Sequence, residues 1–171
     1  MPRSFDHTVL IVDDDEGILK ALKRLLKDLQ VSVITATSGD EGLELLQQHR
    51  VSVIIADQRM PGLSGVEFLR LARDIAPESV GILLTGYADV DAVLDAIDRG
   101  QIRYYFFKPW DDNALLRRIE EILADLDAKA ANPSQKERSG SPGRGRQSAK
   151  SGPQAAAGNQ RANKVTKSHG R

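Results

Sequence analysis

Asp13, Asp14, Asp15 and Glu16 follow directly on the apolar run Val9–Val12. Carboxylates crowded at the end of a buried strand repel one another. Two of them about 4 Å apart cost on the order of 4 kcal/mol at an effective dielectric near 20. Solvent, a basic side chain or a bound cation must offset that repulsion. Three further polar residues close apolar runs in the same way: Asp57 after "VSVIIA", Thr85 after "SVGILL" and Lys108 after "IRYYFF". Carboxylates are hard oxygen ligands, and one to three of them with water suit a small divalent cation such as Mg²⁺. A carboxylate such as Asp57 can also attack phosphorus and form an acyl phosphate. A metal and the Lys108 ammonium would then neutralise the phosphoryl oxygens, and Thr85 would donate a hydrogen bond to them.

That chemistry requires the strand ends to converge. Apolar runs rich in Val and Ile alternate with segments of helical period. "TVLIV" (Thr8–Val12), "VSVITA" (31–36), "VSVIIAD" (51–57), "SVGILLT" (79–85) and "IRYYFF" (102–107) read as five strands. Between them, Ile18, Leu19, Leu22, Leu25, Leu26 and Leu29 fall at helical spacing, and "GDEGLELLQQH" reads as a short helix. Ser64 can cap a helix carrying Val66, Leu69, Ala72 and Ile75, ended by Pro77. Asp89 can cap one carrying Val90, Val93, Leu94 and Ile97, stopped by Gly100. Asp111 can cap a last helix with Leu115, Ile119, Ile122, Leu123 and Leu126 inward. Five strand–helix units with continuous apolar strands predict an α/β fold, a doubly wound parallel sheet with helices on both faces. In such sheets function gathers at the carboxyl ends of the strands.

The 171 residues suffice for one ordinary domain. There is no cysteine, hence no disulfide and no thiolate metal site. The N-terminal residues do not read as a signal peptide and no apolar run is long enough to span a membrane, so a cytoplasmic protein without membrane contact is expected. The zero net charge conceals an asymmetry. Residues 1–128 hold 14 Lys and Arg against 23 Asp and Glu, a charge of −9, whereas residues 129–171 hold 10 basic residues and one acid, Glu137, a charge of +9. The latter segment is built of Ser, Gly, Pro, Gln, Ala and Asn with scattered Lys and Arg. Composition alone reads it as a disordered basic tail after a globular domain of residues 1–128.

The strings "IVDDDE", "VSVIIADQRMPGLSG", "LLTGYAD" and "YYFFKPW", in this order and at these strand ends, resemble the receiver domain of two-component response regulators. The resemblance covers about Thr8 to Leu126. It implies a flavodoxin-like sheet of order 2-1-3-4-5. It implies that Asp57 is the phosphoacceptor, that Asp14 binds Mg²⁺ directly and Asp13 through water, and that Asp57 and the backbone carbonyl of Arg59 complete the metal site. Thr85 and Lys108 then match the phosphate-sensing hydroxyl and the phosphate-binding amine, and Tyr105 the aromatic that turns inward when the hydroxyl moves. Beyond phosphotransfer to itself and loss of the phosphoryl group, no enzymatic activity is implied.

A stand-alone phosphoreceiver is therefore expected, charged by a histidine kinase or phosphotransfer protein. It would signal to a protein target through the helix 90–99, the fifth strand and the last helix, with a homodimer through the same face left open. The alternative makes the basic tail an effector for nucleic acid or an acidic partner, held by the acidic domain in the off state. Against it, the tail's charges are spread out and it has no aromatic residue for base stacking. The whole chain shows no helix-turn-helix, zinc finger or nucleotide P-loop. A degenerate receiver used as a scaffold is opposed by the intact acids, Thr85 and Lys108. Asp15 and Glu16 suit the start of the first helix, where the dipole favours acids. Trp110 is either an exposed contact or a staple for the last helix, and Tyr105 either switches or simply packs. His7, His49 and His169 have no ligand spacing. Arg59 and Tyr87 should flank the path of a water attacking the acyl phosphate.

Overall fold

A computed structural model describes residues 6–132. Five strands, β1 (Thr8–Val12), β2 (Ser32–Ala36), β3 (Val53–Asp57), β4 (Val80–Thr85) and β5 (Tyr104–Phe107), form one sheet in the order β2-β1-β3-β4-β5. All four pairings are parallel. The helices α1 (Glu16–Leu25), α2 (Gly39–Gln48), α3 (Gly65–Ile75), α4 (Val90–Asp98) and α5 (Asp112–Ala131) connect and close it. The expected flavodoxin-like order is thus present, with some strand starts later than expected: β5 begins at Tyr104 and β3 at Val53.

The sheet separates two apolar layers. On one face Leu10, Val12, Ile54, Ala56 and Leu83 meet Leu46 of α2, Phe68 and Leu69 of α3 and Val93 of α4. On the other, Val9, Ile11, Val53, Ile55, Ile82 and Leu84 meet Leu19 and Leu22 of α1 and Leu115, Ile119 and Ile122 of α5. Period-2 alternation within each strand sends neighbours to opposite layers, and because both layers are covered the strands read as unbroken apolar runs. β3 lies at the centre and is buried along its whole length, which seats Asp57 at the middle of the rim.

Four of the five helices begin on a side-chain cap. Asp15 accepts from Gly17 and Ile18, Ser38 from Glu41, and Asp111 from Ala114. Ser64 forms a full capping box with Glu67, and this hydrogen bonding from Ser64 holds the Glu67 carboxyl below its ordinary value. The fourth helix departs from expectation: Asp89 precedes α4 but makes no capping hydrogen bond, because its backbone is not extended like that of the other caps but continues the 3-10 turn Tyr87–Asp89 into the helix; its carboxylate accepts from the Arg59 guanidinium, Nε to Oδ2 at 2.9 Å.

α5 runs on through Lys129 to Ala131, past the boundary that composition placed after residue 128. Ala and Lys are good helix formers, so the helix continues beyond its last packed turn. The remainder of the segment expected to be a disordered tail, and His169 within it, lie outside the described residues. Among the described residues no helix is long and apolar enough to cross a membrane.

Candidate functional site

The register of the central strands assembles the site. Val12 pairs with Ala56, so Asp13 and Asp57 leave neighbouring strand ends side by side. Asp57 pairs with Leu84, which puts Thr85 one residue further along the same rim. Thr85 in turn pairs with Phe107, the residue before Lys108, and the Lys108 amide donates to the Thr85 carbonyl at 2.8 Å. Parallel pairing alone thereby brings Asp13, Asp57, Thr85 and Lys108 to one mouth. The Lys108–Pro109 bond is cis.

Lys108 Nζ lies 2.5 Å from Asp57 Oδ1 and 4.0 Å from Asp13 Oδ2. Asp13 is 2% exposed. Its Oδ1 accepts from the Asp15 amide at 2.8 Å, whereas its buried Oδ2 has no hydrogen-bond partner. Burial, and then the charges of Asp57 and Asp14, push the Asp13 carboxyl up to about 6, although the Asp15 amide and Lys108 pull the other way. Asp14 is exposed at the lip of the cleft. One carboxylate oxygen from each of Asp13, Asp14 and Asp57 lies within 4.8 Å of the others. A single ammonium thus serves a cluster of three carboxylates, and one buried carboxylate oxygen remains without a hydrogen-bond partner. A hard divalent cation with oxygen ligands fits this donor set on both counts.

Thr85 is fully buried, its hydroxyl donating only to the neighbouring Gly86 carbonyl at 3.2 Å. Tyr105 is not part of the cleft. It is 40% exposed and meets Phe107 edge-on at 5.5 Å, while Tyr104 takes the half-buried inward side. Arg59 stands in the loop after Asp57 with its side chain on Asp89. Tyr87 is 72% exposed and stacks on Phe107, the ring centroids 4.7 Å apart and the planes 4° from parallel. Trp110 packs on the layer under α5, and its indole N–H donates to Asp112 at 3.1 Å.

Two residues that pattern reading passed over hold the scaffold of the site. Gln58 is buried beside Asp57. Its amide donates to the Leu84 carbonyl, its carbonyl accepts from Gly65, and its side-chain Oε1 accepts from Val66, so it pins the loop between β3 and α3. Gly65 lies directly against the Asp57 carbonyl: a Cβ there would collide with that oxygen and with Leu83. Nothing in the spacing of the sequence signals this close approach. His7, given no chemistry from its spacing, ties Ser52 to Asp127 of α5, each at 2.8 Å.

Comparison with known proteins agrees with this geometry. The response regulator receiver domain family matches residues 9–120. The hydrogenase transcriptional regulatory protein HoxA of Cupriavidus necator is 37% identical over 77% of this chain, which spans only 30% of HoxA. The transcriptional regulatory protein FixJ of Rhizobium meliloti is 33% identical over 74% of this chain and is spanned to 64%. Among solved structures, a response regulator receiver domain protein from Clostridium thermocellum superposes with a TM-score of 0.66 at 32% identity, covering 71% of this chain and 98% of that one. An uncharacterized protein from Neptuniibacter caesariensis gives 0.71 at 36% identity, covering 76% and 96%. The sheet order, the acids gathered at its carboxyl edge and the match over residues 9–120 together make this chain a member of the response regulator receiver domain family of two-component systems.

Proposed function

We propose that Asp57 accepts a phosphoryl group from a histidine kinase or phosphotransfer protein and that its occupancy switches the face formed by α4, β5 and α5. The observation that carries this reading is the contact of Lys108 Nζ with Asp57 Oδ1 at 2.5 Å inside a cluster of three carboxylates. In the transfer, an Asp57 carboxylate oxygen forms a bond to phosphorus while the N–P bond of a phosphohistidine donor breaks. The bonding pair returns to the imidazole nitrogen, which takes up a proton. Asp57 is held rigidly for this by the buried strand beneath it and by Gln58 beside it. Lys108 already stands against the attacking carboxylate and can follow the charge onto the phosphoryl oxygens. Asp13, Asp14, Asp57 and the carbonyl of Arg59 would hold Mg²⁺, which when bound supplies charge neutralisation at the phosphoryl group. The chain modifies itself and turns over no separate substrate.

The switch rests on Thr85 and Tyr105. The Thr85 hydroxyl is buried and weakly engaged, so a new acceptor on Asp57 can draw it away. The space it leaves lies beside β5, where Tyr105 stands turned outward. The large apolar residues exposed among those described are Tyr87, Leu94 and Tyr105, all on the α4–β5 side. A protein target there would meet a surface whose shape depends on two alternative packings.

Labelling with acetyl phosphate tests the reading. The full-length chain should take up one phosphoryl group with Mg²⁺ and very little with a chelator, and Asp57→Asn should take up none. Undiminished labelling of Asp57→Asn would overturn it.

A further inference from the structure

One patch of the acidic domain is basic. Lys20, Lys23, Arg24 and Lys27 lie on α1 and the 3-10 turn Leu26–Asp28 that follows it, and they supply four of the 14 basic residues of a segment, residues 1–128, whose net charge is −9. All four are exposed. Among the described residues none of them makes an ion pair, whereas Arg50, Arg59, Arg99 and Arg118 each reach a carboxylate. Spaced three and four apart, they repel one another along one side of the helix. The helix dipole favours Lys23 and Arg24 in the last turn of α1, but not Lys20 before it. Together with Leu26 and Val33 they line a groove between α1 and β2. Asp28, at the same groove, pairs with none of them.

The groove runs beside an open strand. β2 is the outermost strand on its side of the sheet. The Ser32 amide donates to the His7 carbonyl, and the Ala36 carbonyl accepts from the Asp13 amide. In a parallel ladder this register commits the backbone groups of Ser32, Ile34 and Ala36 to β1. The N–H and C=O of Val33 and Thr35 therefore point to the open edge. Cations and an unpaired strand edge thus meet in one place, where α1 ends and β2 begins, across the sheet from the Asp57 rim.

We propose that this groove docks an extended acidic segment of a partner protein, which adds a strand to the open edge of β2 and lays alternate carboxylates against Lys20, Lys23, Arg24 and Lys27. Main-chain bonds to Val33 and Thr35 hold such a strand, and the cations select it by charge. A second copy is refused, because its own β2 carries the same cations. Nucleic acid is disfavoured: no aromatic side chain lines the groove, and the net charge of the surrounding domain repels a long polyanion. A lipid surface has no strand to offer the unpaired amides. Docking here needs no phosphoryl group on Asp57.

Fluorescence anisotropy and amide hydrogen exchange on the full-length chain test this with a labelled synthetic peptide in which glutamate alternates with valine and threonine. Binding should weaken as salt rises. It should weaken about tenfold in the double variant Lys23→Glu, Lys27→Glu, whose labelling by acetyl phosphate stays unchanged. Saturating peptide should slow exchange at the Val33 and Thr35 amides about tenfold and leave the Ile34 amide, already bonded to β1, at its own rate. A peptide of the same composition with its glutamates gathered at one end should give no such alternation. The basic residues 129–171 can attract any anion, so the loss in the double variant and the exchange pattern read the groove. Undiminished binding by the double variant, or binding that leaves Val33 and Thr35 exchange unaltered, would overturn the proposal. So would a chain that ignores the peptide and is retained by phosphatidylserine vesicles or duplex DNA through these lysines.

Discussion

Lys108 Nζ stands 2.5 Å from Asp57 Oδ1, and it is the one cation paired with the acids of the cleft among the described residues. Removing it leaves Asp13 and Asp57 facing each other across a buried rim with nothing to balance them. Lys108→Ala should label with acetyl phosphate about a hundredfold more slowly than wild type, the usual scale for losing one preorganised charge that stabilises a transition state. Because Mg²⁺ would then be the sole compensation, the metal should raise the melting temperature of the variant more than that of wild type. Labelling time courses and melting curves with and without Mg²⁺ check both halves.

Asp13 makes the apo protein pH-sensitive. Its carboxyl is raised from an ordinary 3.8 to about 6, chiefly by burial. The folded chain thus binds this proton more tightly than the unfolded chain. The contribution of Asp13 to stability is fully present below pH 3.8 and is lost as pH rises through 6. In the presence of chelator, Asp13→Asn should therefore be more stable than wild type at pH 7.5, by about 1 kcal/mol once screening at the open cleft mouth is allowed for. The advantage should vanish by pH 4. Mg²⁺ should stabilise wild type at pH 7.5 by mass action, lose that effect at pH 5, and stabilise Asp13→Asn little at either. Urea titrations at the three pH values measure all of this.

The fold and the cleft acids were legible because both depend on strand period and strand ends. An apolar run that stops at Asp57 or Lys108 locates the residue at the carboxyl edge whatever the helices do, and parallel register aligns those edges. What escaped depends on contacts between distant segments. Asp89 has the sequence of an N-cap, but it ends a 3-10 turn that runs straight into α4, and Arg59, thirty residues earlier, meets its carboxylate. Alternation required one of Tyr104 and Tyr105 to face outward without saying which, since β5 is an edge strand whose residues are at most half-buried. Gln58 carries no pattern at all: its importance arises from lying between Leu84 and the start of α3.

Gly65 should tolerate no side chain. A Cβ at this position meets the Asp57 carbonyl and a Leu83 methyl, neither of which can retreat without shifting β3 or the core. Gly65→Ala should cost about 2–3 kcal/mol, the range of an overpacked core, despite the better helix propensity of Ala. It should also slow phosphoryl uptake, because the strain falls on the residue that carries Asp57. Gly62 is the control. It has a φ of 80° with open space around it, so Gly62→Ala meets backbone strain without a collision and should cost less. Urea unfolding of the two variants ranks them.

Tyr87 should set how long an acyl phosphate on Asp57 survives. It lies two residues beyond Thr85, in the turn that leads into α4, and its ring stacks parallel on Phe107, whose neighbour is Lys108. A ring 72% exposed to solvent gains little from burial there, so the stack orients the side chain more than it stabilises the fold. Held in that place, the ring should narrow the approach of water to a phosphoryl group on Asp57. Tyr87→Ala should hasten dephosphorylation about fivefold, equivalent to roughly 1 kcal/mol in the barrier, with labelling rate and thermal stability almost unchanged. Phe107→Ala, which removes the platform and leaves Tyr87 in place, should hasten it in the same direction by a smaller factor. Decay of the radiolabelled protein after removal of acetyl phosphate measures both. If Phe107→Ala left the decay unaltered while Tyr87→Ala hastened it, the ring would act by bulk alone and the stack would have no part in the lifetime.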